Sequence, residues 1–306
     1  MARRLLASPL VPMHDLRLSC LRNSRGIKRG GCALLGVSIP GVHAYNEQRC
    51  LYLLYHELRP YPGKYSYSLG TSIFATHTDV IAESVGNNQP GISLAVTFDD
   101  GYASDSEYAL PILSARGLSA HFFITVGWTG KTPGYMGWQQ VRSLSDAGHI
   151  VGTHGWSHAL LTHCPAKELD RELNASRKLL EDKLGIAVTT MSLPGGRYDR
   201  RVLAACQEAG YTRVYTSEPR LETTASAFTI GRVNVSSDRS ADWIRALFQP
   251  NSGELSKLQR QYSIKKAAKV FLGDRAYEKL WAVVARQETE SQTQPPTSYE
   301  DPASNQ

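Results

Sequence analysis

The sequence predicts an α/β fold built from parallel β-α units, because two kinds of segment alternate along it. Short continuous apolar runs have the length of buried strands and stop at polar residues or glycine. They cover 51–55, 93–98, 120–126, 149–154, 189–193 and 211–216. Segments with helical spacing lie between them, at 103–116, 137–147, 166–184 and 199–209. Six or more units of this kind favour either a barrel or a doubly wound sheet.

The segment 166–184 shows the helical pattern most clearly. Its leucines recur on one face, Pro165 stands where a first helical turn tolerates proline, and Gly185 follows as a stop signal. After Val235 the pattern changes to helices alone, at 240–248 and at about 262–287.

We therefore divide the chain into four parts. They are a loose basic leader (1–47), an α/β domain (48–238), a helical C-terminal extension (239–287) and a disordered tail (288–306). The leader includes an apolar stretch that weakly imitates a signal peptide but is broken by glycine and proline. No run of apolar residues is long enough to predict a membrane-spanning helix. We expect a cytoplasmic or membrane-peripheral protein, with secretion left open.

Charge and cysteine content exclude several kinds of function. The net charge of the 306-residue chain is +6, but the basic excess is concentrated in the first thirty residues, and no nucleic-acid partner is predicted. The five cysteines are irregularly spaced and include no Cys-x-x-Cys pair. A disulfide framework and a thiolate zinc site are therefore both disfavoured.

Three polar clusters end strands of the predicted sheet: TFDDG (97–101), HGWSH (154–158) and LPGGRYD (193–199). Functional groups of parallel α/β folds gather at the carboxyl ends of strands, which predicts one common site. Taken singly, the clusters are also typical of a solvated Asp-Asp-Gly turn, an unrelated histidine pair and a Pro-Gly turn. Together they offer two imidazoles and a carboxylate, which suit zinc and similar divalent ions.

In this order and spacing the motifs resemble those of the polysaccharide deacetylase family, the NodB-homology domains of carbohydrate esterase family 4. The resemblance covers about residues 50–235 and identifies 48–238 as the catalytic domain. It implies a distorted (β/α) barrel with seven or eight strands. It also implies metal-dependent hydrolysis of an N-acetyl amide on a hexosamine-containing polysaccharide or glycoconjugate, with release of acetate.

The resemblance also assigns roles to single residues. Asp99 becomes the general base, and Asp100, His154 and His158 become ligands of a divalent metal. We expect Zn²⁺, with Co²⁺ or Ni²⁺ as alternatives. Backbone N–H groups near Gly195 are expected to hold the oxyanion. The other residues expected to contact the substrate or the oxyanion are Pro194, Gly196, Tyr198 and Trp156.

Two features depart from the commonest form of the family. Its third motif usually contains an arginine that orients the base, whereas Ser192 stands at that position and the reach of the nearby Arg197 is unknown. Its usual general acid is a late histidine, and this chain has no histidine after His163. The early Tyr55-His56 pair resembles the layout of circularly permuted poly-N-acetylglucosamine deacetylases, which implies that His56 is the acid.

Other functions stay open at this point. The same metal site is compatible with hydrolysis of a non-carbohydrate amide or a cyclic imide. A catalytically weak glycan-binding relative is a further alternative, since the usual arginine and late histidine are missing. An acetylated glycan is the expected partner, and the basic C-terminal helix could dock on partners in polysaccharide assembly.

Overall fold

The computed structural model describes residues 49–61, 65–86, 92–223, 227–249 and 251–272. Within these ranges the strands are β1 (Arg49–Tyr55), β2 (Glu57–Arg59), β3 (Ser68–Gly70), β4 (Ile92–Phe98), β5 (Ala120–Ile124), β6 (Ile150–Thr153), β7 (Thr190–Ser192), β8 (Arg213–Tyr215), β9 (Thr229–Ile230) and β10 (Arg232–Asn234). Eight of them form one parallel sheet in the order β10-β1-β4-β5-β6-β7-β8-β9, while β2 and β3 pair separately. All six strands predicted from the apolar runs are confirmed, as β1 and β4 to β8.

The large sheet is rolled into a nearly closed barrel. Its edge strands β9 and β10 are separated in the chain by Gly231 alone, so one continuous stretch pairs with β8 and then with β1. A β-carbon at Gly231 would lie 2.5 Å from the carbonyl oxygen of Glu218, so a larger residue would force this junction apart. The expected distorted barrel with seven or eight strands is confirmed.

The helices pack around the barrel. They are α1 (Thr71–Gly86), α2 (Leu110–Ser114), α3 (Trp138–Asp146), α4 (Ala166–Asp170), α5 (Ser176–Leu184), α6 (Arg200–Glu208), α7 (Ala241–Phe248) and α8 (Glu254–Leu272). A π-helical turn, Asp105–Ala109, precedes α2, and another, Arg171–Ala175, joins α4 to α5. Each turn falls inside a segment that the sequence predicts as one helix.

The last helix begins earlier than the sequence predicts, at Glu254 rather than near 262. The rest of that segment beyond Leu272, together with the predicted leader and tail, lies outside the described residues. Among the described helices, none combines the length and the apolar character needed to cross a bilayer.

Neighbouring residues of a strand pack in different hydrophobic layers, because side chains point alternately to the two faces of the sheet. Strand β5 is an example. Phe122 stacks on Phe98 in the layer between barrel and helices, with 5.2 Å between ring centroids. Phe123 packs instead against Tyr215 of β8, at 4.8 Å, inside the barrel. Helix α7 adds Ile244 to the outer layer, so the first part of the C-terminal extension packs against the barrel.

Candidate active site

The carboxyl ends of the strands bring the predicted site residues together. Asp99 follows β4, and its backbone N–H donates to the carbonyl oxygen of Tyr55 at the end of β1, 3.1 Å away. His154 follows β6, and its N–H donates to Ile124 at the end of β5, 2.7 Å away. Since β1, β4, β5 and β6 are consecutive in the barrel, their terminal side chains share one end of it.

Three of these side chains form a cluster that fits a metal ion. The Nε2 atoms of His154 and His158 each lie 3.3 Å from Oδ1 of Asp100. All three ligand atoms lie within 4.8 Å of one another. Oδ1 of Asp100 is buried and has no hydrogen-bond partner in the described part of the chain, as expected for an oxygen reserved for a cation.

The surroundings of the cluster also favour metal binding. Nδ1 of His154 lies 2.9 Å from the carbonyl oxygen of Ser192, so this nitrogen carries the proton and Nε2 keeps its lone pair. Asp100 has a φ of 75° and His158 a φ of 62°, and the described residues include no other non-glycine with positive φ. Such backbone strain concentrates at functional sites, where it sets the direction of a side chain. The donor set of two imidazoles and one carboxylate fits zinc.

The ionisation of Asp100 and His158 agrees with a compact, water-poor site. Burial opposes ionisation of Asp100, but the neighbouring side chains of His154 and His158 outweigh it and lower the pKa of this carboxyl. Burial lowers the pKa of His158 to about 4. For His158, the neutral imidazole that a metal requires is therefore the stable form at neutral pH.

Asp99 is held in place by a buried arginine. Nη1 and Nη2 of Arg232 donate to Oδ1 and Oδ2 of Asp99, at 2.7 and 2.8 Å. The hydroxyl of Ser192 donates to Oδ2 of Asp99 at 2.8 Å and accepts from Arg232 at 2.7 Å. Burial would raise the pKa of Asp99, yet Arg232 and His154 together hold it below its usual value, so the carboxylate stays ionised.

Arg232 makes the contact to Asp99 that the family resemblance assigns to an arginine at the position of Ser192. It lies on β10, its side chain is completely buried, and it reaches Asp99 across the barrel interior. The sequence contains one sign of this contact. Arg232 stands inside the stretch GRVNV (231–235), which is typical of a buried strand, and a buried guanidinium without an anionic partner is costly. Ser192 is part of the same network rather than a simple gap in the family motif.

His56, the candidate acid, follows β1 and stands beside the two carboxylates. Its ring packs on Tyr67 with 5.0 Å between centroids, and its Nδ1 is buried without a hydrogen-bond partner among the described residues. Burial lowers the pKa of His56, and the charges of Asp100 and Asp99 oppose that shift. This placement is compatible with proton transfer at the site.

The third motif forms a tight turn after β7. Pro194–Gly196 is a short 3₁₀ turn in which Gly195 and Gly196 have φ of 62° and 65°. A β-carbon at Gly196 would lie 2.6 Å from Oγ of Ser217, so this position requires glycine. Beyond the turn, the hydroxyl of Tyr198 donates to Glu218 at 3.3 Å.

The loop between the two candidate metal-binding histidines is fixed by the carboxylate of Glu172, which no feature of the sequence singles out. Oε2 of Glu172 accepts from the backbone N–H groups of Trp156 and Ser157, at 2.7 and 3.1 Å, and Oε1 accepts from the Ser157 hydroxyl. A β-carbon at Gly155 would lie 2.7 Å from Oε2 of Glu172, which explains a glycine with φ of 76° here. The π-helical turn Arg171–Ala175 places Glu172 under this loop.

Aromatic rings line one side of the cluster. The ring of Trp128 lies 5.5 Å from His158, and that of Tyr135 lies 4.7 Å from Trp128. Trp156 is half-buried and packs against the outer core, with the guanidinium of Arg171 over its ring at 5.3 Å. Trp156 therefore anchors the loop between His154 and His158 to the outer core.

Comparison with known proteins relates this chain to one protein family. Residues 86–214 match the family model "Polysaccharide deacetylase". A putative polysaccharide deacetylase of Bacillus subtilis is 29% identical over 127 residues, which cover 40% of this chain and 44% of that protein. A peptidoglycan-N-acetylglucosamine deacetylase of Listeria monocytogenes is 31% identical over 110 residues, covering 36% of this chain and 22% of that protein. The chain thus spans less than half the length of these relatives.

A solved structure supports the fold independently. The deacetylase PplD of Streptococcus pyogenes, determined in complex with acetate, aligns with a TM-score of 0.60 at 16% identity. The alignment covers 66% of this chain and 99% of that one. At this identity the likeness concerns the fold, which is the barrel described above.

Proposed function

The chain contains a domain of the polysaccharide deacetylase family, and from this premise we propose that it hydrolyses an N-acetyl amide on a hexosamine unit of a polysaccharide or glycoconjugate, releasing acetate. The observation that carries the proposal is the ionised, doubly anchored carboxylate of Asp99 beside a compact cluster of two histidines and Asp100. A glycan-binding protein has no use for a base held next to a metal site.

Each residue has a separate task in the reaction. Asp100, His154 and His158 would hold a divalent cation, which we propose to be Zn²⁺ and which would supply Lewis acidity toward the acetyl carbonyl and the attacking water. Asp99 accepts the proton of that water, and Arg232 keeps this carboxylate ionised and oriented. A backbone N–H near Gly195 donates to the developing oxyanion. His56 donates a proton to the nitrogen of the departing amine.

Metal dependence and the base are tested together by acetate release from N-acetylated glycan oligomers. We expect wild type to release acetate, to lose this activity with a chelator and to regain it with Zn²⁺. Asp99→Asn removes the proton acceptor, and we expect its rate to fall by at least about 10²-fold, a loss typical of general bases. Ile186→Ala is the control, since Ile186 is exposed and precedes β7, away from the carboxyl ends.

Two results would contradict the proposal. Metal-loaded wild type that releases acetate from no glycan but opens cyclic imides would show that the substrate class is wrong. Binding of glycans without any hydrolysis, in a preparation that demonstrably contains metal, would identify a binding protein instead.

A further inference from the structure

The guanidinium of Arg232 has a hydrogen-bond partner for each of its five N–H groups. Two of them donate to the carboxylate oxygens of Asp99, at 2.7 and 2.8 Å. The others donate to the hydroxyl of Thr97 at 3.3 Å, the hydroxyl of Ser192 at 2.7 Å and the carbonyl oxygen of Thr216 at 3.0 Å. These bonds all leave the edge of a planar group, so they fix the guanidinium within its own plane and leave its flat faces to other contacts.

Two aromatic rings inside the barrel contact this guanidinium. Its central carbon lies 5.5 Å from the ring centroid of Phe123, on β5, and 5.8 Å from that of Tyr215, on β8. Because hydrogen bonds occupy the edge of the guanidinium and the two centroids are only 4.8 Å apart, both rings lie against the same face. We call this pair of rings the aromatic floor. The rings and Arg232 are completely buried, and a cation–π contact is strongest when it is shielded from water.

The aromatic floor is itself held in place by its neighbours. The hydroxyl of Tyr215 is hydrogen-bonded to Nδ1 of His121, 2.9 Å away. The ring of Tyr52 packs edge-on against that of Tyr215, with 5.5 Å between centroids, and Ile230 belongs to the same hydrophobic cluster. These side chains come from the barrel strands β1, β5, β8 and β9. The floor can therefore move away from Arg232 only if the closely packed wall of the barrel moves with it.

The residue before Phe123 offers an internal comparison. Phe122 is equally buried, but it points to the other face of β5 and stacks on Phe98 in the layer between barrel and helices. Replacing either phenylalanine by leucine removes one buried ring from the same strand. An effect on Arg232 that is specific to Phe123 therefore reflects the contact between the ring and the guanidinium, and the general cost of losing a buried ring is common to both.

We propose that the aromatic floor positions the base of the reaction: its two rings hold Arg232 where both Nη atoms reach the carboxylate of Asp99. Phe123 and Tyr215 are positioning residues, since they act on this carboxylate through the guanidinium. The inference rests on the proposed function for the role of Asp99 as the base. Its consequence is that loss of a ring slows the chemical step without weakening substrate binding, because a misplaced base matters in the transition state.

Hydrogen exchange of the Nε–H group of Arg232, followed by NMR, measures the effect of the floor without reference to activity. This group donates to Thr216 inside the barrel, and its signal is identified by its absence in Arg232→Lys. We expect exchange in Phe123→Leu to be faster than in Phe122→Leu by about tenfold, the effect of losing a buried cation–π contact. Tyr215→Phe keeps the ring and should exchange within about threefold of wild type, whereas Tyr215→Leu should resemble Phe123→Leu.

Acetate release from an N-acetylated glycan oligomer by the same metal-loaded variants tests the link to Asp99. We expect Phe123→Leu to lower kcat by about tenfold and to leave KM within about twofold of wild type. Phe122→Leu should change kcat by less than about twofold. Urea denaturation of both variants shows that each is folded under the assay conditions and that the two substitutions cost similar stability.

The two measurements separate the aromatic floor from the proposed reaction. If Phe123→Leu and Phe122→Leu accelerate exchange equally, the rings only fill the barrel and the inference is wrong. Faster exchange in Phe123→Leu with an unchanged kcat would also overturn it, because Arg232 could then move without affecting the base. Wild type that releases no acetate from any glycan would contradict the proposed hydrolase, and the exchange rates alone would then decide whether the rings position Arg232.

Discussion

At the scale of single residues, the stability of the protein should be most sensitive to substitution of the buried ion pair of Asp99 and Arg232. Both side chains are buried, and removing one charge leaves the other unpaired in the barrel. We expect Arg232→Gln to destabilise the chain by about 3–5 kcal/mol in urea denaturation. Adding Asp99→Asn removes the unpaired charge, so the double variant should be more stable than Arg232→Gln alone. Equal or additive losses would show that the two side chains are not coupled.

His56 permits an equally specific test, because an acid matters only when the leaving group needs a proton. We expect His56→Ala to slow hydrolysis of an N-acetyl amide by about 10²–10⁴-fold, the usual contribution of acid-base catalysis. Hydrolysis of 4-nitrophenyl acetate, whose phenolate departs without a proton, should fall much less. Zn²⁺ affinity should not change, which distinguishes His56→Ala from His154→Ala. Equal losses with amide and ester would contradict the role of acid.

At the scale of elements, the π-helical turn Arg171–Ala175 and the loop from His154 to His158 act as one unit. Glu172 satisfies two backbone N–H groups and one hydroxyl of that loop, so the spacing of both histidines depends on it. We expect Glu172→Ala to weaken Zn²⁺ binding by about 10–100-fold, as loss of groups that orient metal ligands does elsewhere. A chromogenic chelator competing for the metal measures this affinity.

Glu168 supplies the matched control, since it is exposed and lies one turn earlier, on α4. Glu168→Ala should bind Zn²⁺ as wild type does. Glu172→Gln should fall between wild type and Glu172→Ala, because an amide keeps one acceptor oxygen. Unchanged metal affinity in Glu172→Ala would show that the loop holds its shape without this carboxylate.

At the scale of the molecule, the sequence predicts the repeating interior of the fold well and its closure poorly. Buried parallel strands are continuous apolar runs, so β1 and β4 to β8 are visible in the sequence. The closing strands β9 and β10 are interrupted by Gly231 and Arg232, so they form no continuous apolar run in the sequence. Arg232 lies in that closing stretch, so its contact with Asp99 depends on long-range topology. Glu172 escapes prediction for the same reason, since its partners are backbone groups of a distant loop.

At the same scale, two largely buried neutral histidines, His77 and His121, should make the stability of the barrel sensitive to mild acid. Burial lowers the pKa of His77 to about 4, and burial with the charges of Arg213 and Arg232 lowers that of His121 to about 4. Unfolded histidine titrates near ~6.5, so below that pH the unfolded chain binds protons that the folded chain does not. The contribution of these two histidines to stability should be constant above about pH 6.5 and fall as the pH approaches 4, by on the order of 1–2 kcal/mol per histidine at pH 5. Urea denaturation of metal-free protein at pH 7 and pH 5 measures this loss without a contribution from metal release.

The variant His77→Gln/His121→Gln lacks both groups and should show a smaller difference in unfolding free energy between the two pH values. An undiminished difference would assign the acid sensitivity to other residues.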